Sequence, residues 1–126
     1  MKFLIDAFSW IEFLKGSSEG LKVKEFLDNN EIYTSTITIA EVLSKVKREN
    51  SDIEIAYKAI NSYSKTISLS DEIAKEAGLL HAEIYKKIKD MGLVDCILII
   101  TARKISAKIV TGDRHFKNFK EAVLIR

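Results

Sequence analysis

Short apolar runs alternate along this chain with longer stretches in which apolar residues recur every three or four positions. Lys2 to Ile5 is an apolar run that stops at Asp6 and reads as a buried strand. From Ser9 to Lys15, Trp10, Ile11, Phe13 and Leu14 adopt helical spacing, halted by Gly16. Leu21, Val23, Phe26 and Leu27 continue a second helical pattern. Glu31 to Ser35 has the composition of a strand, and Ile37 to Val46 that of a helix with a hydroxyl-rich start. Ile53 to Tyr63 is helical again, and Thr66 to Leu69 is a short strand. Ser70 then caps a helix whose first turn carries Asp71 and Glu72 and whose spacing extends to about Lys89. After the break at Gly92, Val94 to Ile105 predicts a strongly apolar helix, Lys108 to Thr111 a strand, and Val123 to Ile125 a last strand.

Strands separated by helices predict an α/β fold with a mostly parallel sheet covered on both faces. The strands are continuous apolar runs rather than alternating ones, as burial on both faces requires. There is no internal repeat and no linker, so residues 1–126 are expected to form one domain. The apolar fraction of 47% and charged fraction of 30% exclude a disordered chain. Asp6 and Glu12 interrupt the first apolar run too early for a signal peptide, and no stretch approaches the ~20 apolar residues of a membrane span. The single cysteine, Cys96, lies in the apolar run VDCILII and reads as a small core residue. One cysteine permits no internal disulfide, which fits a cytoplasmic setting.

Charge enters through position rather than amount. With 20 basic and 18 acidic residues, the net charge of +2 identifies no nucleic-acid partner by itself. Glu49, Asp52, Glu72, Glu76 and Glu83 lie among polar residues and read as solvated helix faces. Four acids do not. Asp6 follows FLI, Glu41 lies inside TITIAEVL, Asp95 inside LVDCILII, and Asp113 follows KIVT after one glycine. A buried carboxylate must be neutralised, hydrogen-bonded or bound to a cation. Asp6 and Asp113 fall at the carboxyl ends of strands, where open parallel sheets bind ligands, and Glu41 and Asp95 lie early in helices that start from the same edge. Oxygen-only ligands suit Mg²⁺ or Mn²⁺, whereas the absence of a Cys/His cluster disfavours zinc. Any one of these acids alone could be a helix cap. No Walker loop, G-x-S-x-G or G-x-G-x-x-G is present.

In order, FLIDAFSWIEF, TSTITIAEVLSKV and GLVDCILIITARKISAKIVTGDRHF resemble the PIN domains, and among them the VapC toxins. The last segment is the most specific. It joins an aspartate opening an apolar helix, an Ala-Arg near its end, a short strand and Thr-x-Asp-x-x-Phe. The resemblance spans the chain. It implies a three-layer α/β/α sandwich around a parallel sheet and a metal-dependent endoribonuclease. Asp6, Glu41, Asp95 and Asp113 would be the catalytic and metal-holding acids, with Thr111 in support. It also implies a VapB-like antitoxin as partner and a homodimer. The family often has Thr or Ser just after the first aspartate; this chain has Ala7 and Phe8, with Ser9 next along.

RNA approaching an acidic crevice needs cations at its rim. Lys45, Lys47 and Arg48 follow Glu41, Arg114 and Lys117 follow Asp113, and Arg103 and Lys104 end the Asp95 helix. Lys45, Arg48, Arg103 and Arg114 are therefore the expected RNA contacts. Trp10, Phe13, Leu14, Leu21 and Phe26 crowd the early helices, as core or as a partner surface. Three other readings compete. A receiver-like signalling domain also gathers acids at strand ends, but it wants paired acids early and a lysine after a late strand, where this chain has Asp6 alone and Thr-Gly-Asp. A non-catalytic interaction module leaves the acid set without purpose. A housekeeping RNA-processing nuclease shares the chemistry and differs only in target and partner.

Overall fold

In the computed structural model, which describes residues 1–126, β1 (Lys2–Ile5) is the middle strand of a sheet of five. The helices α1 (Ala7–Lys15) and α2 (Ser18–Asn29) lead to β2 (Glu31–Ser35). Then come α3 (Thr36–Arg48), α4 (Ile53–Tyr63), β3 (Lys65–Ile67), α5 (Asp71–Ile84) and α6 (Leu93–Ile105). The chain closes with β4 (Lys108–Thr111), a 3-10 turn (Arg114–Phe116) and β5 (Ala122–Leu124). The strand order is β3-β2-β1-β4-β5, and every adjacent pair is parallel. This is the α/β/α sandwich expected from the alternation of runs.

The two faces of β1 supply two cores. Phe3 and Ile5 point into one with Trp10, Val23, Val42 and Ile60, under α1 to α4. Leu4 points the other way, against Ile73, Cys96, Ile99 and Ile109 beneath α5 and α6. Leu4 and Ile5 are both fully buried, the two-sided burial that the apolar run demanded. Buried polar groups find partners across elements. The Trp10 indole donates to the Thr34 hydroxyl at 3.1 Å, and Thr34 meets the Ser64 hydroxyl at 2.8 Å, which ties α1 to the sheet. Gly16 ends α1 at φ 70°, a left-handed conformation that a β-carbon disfavours. No helix is long and apolar enough to cross a membrane.

Two boundaries differ from the expectation. The helix expected to reach Lys89 stops at Ile84. Beyond it the backbone closes in short turns, with Lys87 N donating to Ile84 O and Met91 N to Ile88 O. Ile84 and Ile88 still pack on the core and Met91 is buried within it, so the apolar spacing looks helical after the helix has ended. The third strand lies one to two residues earlier than expected, because the Leu69 amide leaves the ladder to donate to the Thr36 hydroxyl at 3.2 Å.

The strand order reverses at β1. The chain moves outward through β2 and β3 on one side, then returns to place β4 on the other. The chain leaves the carboxyl end of β1 into α1 and that of β4 into the 3-10 turn, and a switch point of this kind is where open α/β sheets bind ligands. The packing gives a direct test. Leu4→Ala should lower the free energy of unfolding by about 2–5 kcal/mol, while Leu21→Ala, at an exposed position of α2, should change it by less than ~0.5 kcal/mol. Urea denaturation midpoints of the two variants would check this; equal midpoints would contradict the assignment of Leu4 to the core.

Candidate metal centre

Asp6 is the residue at which β1 ends and α1 begins. It is the N-cap of α1, its Oδ1 accepting from the Ser9 amide at 2.8 Å, and it is only 6% exposed. Because β1 pairs directly with β4, Asp6 stands beside the segment Thr111-Gly112-Asp113; its amide donates to Val110 O at 3.3 Å. Asp113 caps the 3-10 turn through the His115 amide at 2.9 Å. Asp95 lies in the first turn of α6 and accepts from the Gly92 amide at 3.0 Å. Glu41 projects from the second turn of α3 and makes no capping bond.

Capping accounts for part of this, but not for the charge. The chain caps α2, α3 and α5 with Ser17, Ser35 and Ser70. A hydroxyl would have served at Asp6 as well. Each capping carboxylate also uses a single oxygen: Oδ1 of Asp6, Oδ2 of Asp95, Oδ1 of Asp113. On Asp95 and Asp113 the second oxygen, with its lone pairs, takes no backbone bond, whereas the Asp6 carboxylate is also held by the Thr111 hydroxyl. The caps therefore fix the orientation of three carboxylates without consuming them.

The four acids feel one another. Burial pushes the pKa of Asp6 up to about 6, and nearby Asp113 adds to the rise; the hydroxyls of Thr111 and Ser9 and the Ser9 amide pull it down. Partial burial raises Glu41, with Asp95 and Asp6 contributing. Burial raises Asp95 as well, offset by its bond from Gly92 and increased by Asp113. Repulsion thus links Asp6 to Asp113, Glu41 to Asp95 and Asp6, and Asp95 to Asp113. No three His, Cys, Asp or Glu side chains are drawn tightly enough together to form a closed cation cage. The donor set fits a small hard cation that keeps several waters and takes only one or two carboxylates directly, as Mg²⁺ and Mn²⁺ do.

The cations are divided. Lys45 and Arg48 lie one and two turns beyond Glu41 on the same face of α3 and line an open depression with Ala7, Ala40, Glu41 and Ser44. Arg114 is exposed directly after Asp113. Arg103 departs from the expectation. It sits eight residues down α6 from Asp95, roughly 12 Å along the axis at helical rise, and pairs with the buried Glu121 at 3.6 Å. Lys104 is held by Glu72 and Glu76. Both side chains are thus engaged by acids other than the four candidates.

Other residues join the edge without a signal in the local sequence. His115 Nδ1 lies 2.7 Å from Asp113 Oδ1, and its Nε2 3.6 Å from Asp90. Phe8 packs on Gly112, where a β-carbon would collide with its ring. Ser9 does not offer its hydroxyl freely, since that group donates to Val110 O at 2.8 Å.

The PIN domain family model matches residues 3–122. No curated protein sequence matches the chain. Among solved structures, a toxin–antitoxin complex from Klebsiella pneumoniae superposes with a TM-score of 0.81 at 23% identity, covering 98% of this chain and 97% of that one. VapBC2 from Rickettsia felis, bound to a DNA fragment from its promoter, gives a TM-score of 0.75 at 21% identity, covering 98% and 97%. VapC20 from Mycobacterium tuberculosis, a toxin that cleaves the sarcin–ricin loop, gives 0.74 at 15% identity, covering 94% and 97%. At these identities the likeness is one of fold.

The raised pKa of Asp6 fixes a sign. The folded chain holds a proton on Asp6 up to about pH 6, whereas the unfolded chain releases it near 3.8. The contribution of Asp6 to stability is therefore full below pH ~4 and lost as pH rises through 6. Asp6→Asn keeps a capping oxygen and removes the charge. In chelator at pH 7.5 it should be more stable than the parent by about 1–3 kcal/mol, with the gap closing towards pH 4. Chemical denaturation across that pH range measures it; a variant less stable at every pH would mean the carboxylate is not destabilised by burial.

Proposed function

Since the chain belongs to the PIN domain family, we propose that it is a metal-dependent endoribonuclease that hydrolyses RNA phosphodiester bonds, acting as the VapC-type toxin of a toxin–antitoxin pair. What supports this reading is the electrostatic repulsion among Asp6, Glu41, Asp95 and Asp113 beside the β1–β4 pair, three of them accepting a backbone amide. An interaction module has no use for buried repelling charge, which destabilises the fold that carries it.

Asp6, Asp95 and Asp113 would serve as metal ligands, directly or through water, with Asp6 the central one. Glu41, the acid without a capping bond, holds metal or orients the attacking water. Thr111 steadies Asp6, whose pKa its hydroxyl lowers. Mg²⁺ or Mn²⁺, when bound, supplies the positive charge that activates water and offsets charge developing on the phosphate. Lys45, Arg48 and Arg114 draw the RNA backbone to an edge that would otherwise repel it.

The toxin assignment draws on the solved complexes with this fold, which pair a toxin with an antitoxin. A VapB-like antitoxin has apolar surface to use. Trp10 is fully buried and plays no part, but Leu14 lines a cleft of about 280 Å³ with Ile11, Val46, Ile55 and Ala56 between α1, α3 and α4. Leu79 and Leu93, both more than half exposed, offer area for a homodimer. A housekeeping nuclease would show the same chemistry without an inhibiting partner.

The purified chain should cut single-stranded RNA in millimolar Mg²⁺ or Mn²⁺ and not in chelator. Asp6→Asn or Asp113→Asn should reduce cleavage at least ~100-fold, while Glu72→Gln, on α5 and paired with Lys104, should stay within about twofold. Co-expression with the product of an adjacent short reading frame should give a complex that no longer cuts. Full cleavage by Asp6→Asn would refute the site; cleavage without an inhibiting neighbour would favour the housekeeping role.

A further inference from the structure

Arg126 lies next to β5, at the level of the Gly112 turn. Its Nε donates to the carbonyl of Gly112 at 3.0 Å. Its guanidinium carbon sits 4.8 Å from the centroid of the Phe8 ring. The ring in turn rests on Gly112, which is tolerated only because that residue has no side chain. Phe8, Gly112 and Arg126 therefore form a stack one residue from Asp113 and two from Asp6. Parallel pairing of β4 with β5 brings it there, since Ile125 N donates to Thr111 O at 2.9 Å.

The arrangement uses only part of the guanidinium. One donor is spent on Gly112, and the ring holds the plane, but no carboxylate lies within 4.0 Å. The chain's one arginine ion pair, Arg103–Glu121, shows the contrast. An arginine whose backbone bond and aromatic stack fix its orientation, and whose terminal N–H groups have no acid within ion-pair distance, with Glu19 acting only from farther off, suits a planar bidentate acceptor. Beside an acidic edge, an approaching polyanion needs a fixed cation to hold its backbone against repulsion.

We propose that Arg126, held by Phe8 and Gly112, is a clamp for a backbone phosphate of single-stranded RNA next to the bond to be cleaved. The inference rests on the ribonuclease reading and adds a substrate-binding residue to it. Phe8 then has a purpose of its own. It orders the clamp rather than supporting the acids.

The test uses the Asp6→Asn chain, which holds RNA without cutting it, and a fluorescent single-stranded oligonucleotide read by anisotropy. Arg126→Gln should weaken binding about 5–10-fold at low salt and reduce the slope of log affinity against log salt by about 0.7, the loss of one phosphate contact. Arg126→Lys should recover the salt slope but not the affinity, because an ammonium does not stack or bind bidentately. Adding Phe8→Leu should cost little once Arg126 is gone and several-fold while it is present. In the cleaving chain, Arg126→Gln should raise KM and leave kcat within about twofold. Its Mn²⁺ affinity should match the parent's, showing that the acids are undisturbed. Unchanged affinity and slope in Arg126→Gln, with RNA cleavage intact in the parent, would overturn the clamp and leave the nuclease reading standing. A parent chain that neither binds nor cuts RNA would overturn both.

Discussion

Asp6 is a carboxylate at the end of the central strand, 6% exposed and next to a second acid across the β1–β4 pair. Water cannot solvate it there, and three hydrogen-bonding groups compensate only in part, so its pKa stays near 6. The geometry around it follows from keeping that charge tolerable. The Ser9 amide binds one oxygen, Thr111 stands by, and the strand order sets the carboxyl ends of β1 and β4 side by side. A fold built only for stability would replace this residue with serine or asparagine.

Local structure and site chemistry are made by the same atoms. Three of the four acids begin a helix or turn, and each gives one oxygen to a backbone amide. The cap removes the rotational freedom that a metal ligand would otherwise lose on binding. The arrangement stops short of a closed cage, which suits cations that bind through their waters. Cation side chains are sorted by their partners: Lys45 and Arg48 line a depression with Glu41 on α3, whereas Arg103 on α6 pairs with Glu121.

Much of this was legible in the chain. Continuous apolar runs with helical stretches between them have few solutions other than a parallel sheet covered on both faces, and an acid ending such a run stands out against its surroundings. The adjacency of β1 and β4 was not legible, because strand order depends on long-range packing rather than local pattern; the pairing of Ile5 with Val110 spans most of the chain. The end of α5 was misread because Ile84, Ile88 and Met91 face inward in turns as they would in a helix. Arg103 was misplaced because sequence proximity to an acid ignores the rise of the helix between them. The stack of Phe8, Gly112 and Arg126 joins three distant stretches and leaves no periodicity to find.

The claim that the four acids are a cation site, with Asp6 at its centre, is tested most directly by titrating Mn²⁺ into the protein and following free Mn²⁺ by electron paramagnetic resonance at pH 7.5 and pH 5. A proton on Asp6 competes with the cation below its pKa of about 6. The parent chain should therefore bind Mn²⁺ roughly tenfold more weakly at pH 5 than at pH 7.5, and Asp6→Asn should bind weakly at both. Equal Mn²⁺ affinity in the parent and in Asp6→Asn at both pH values would contradict the account.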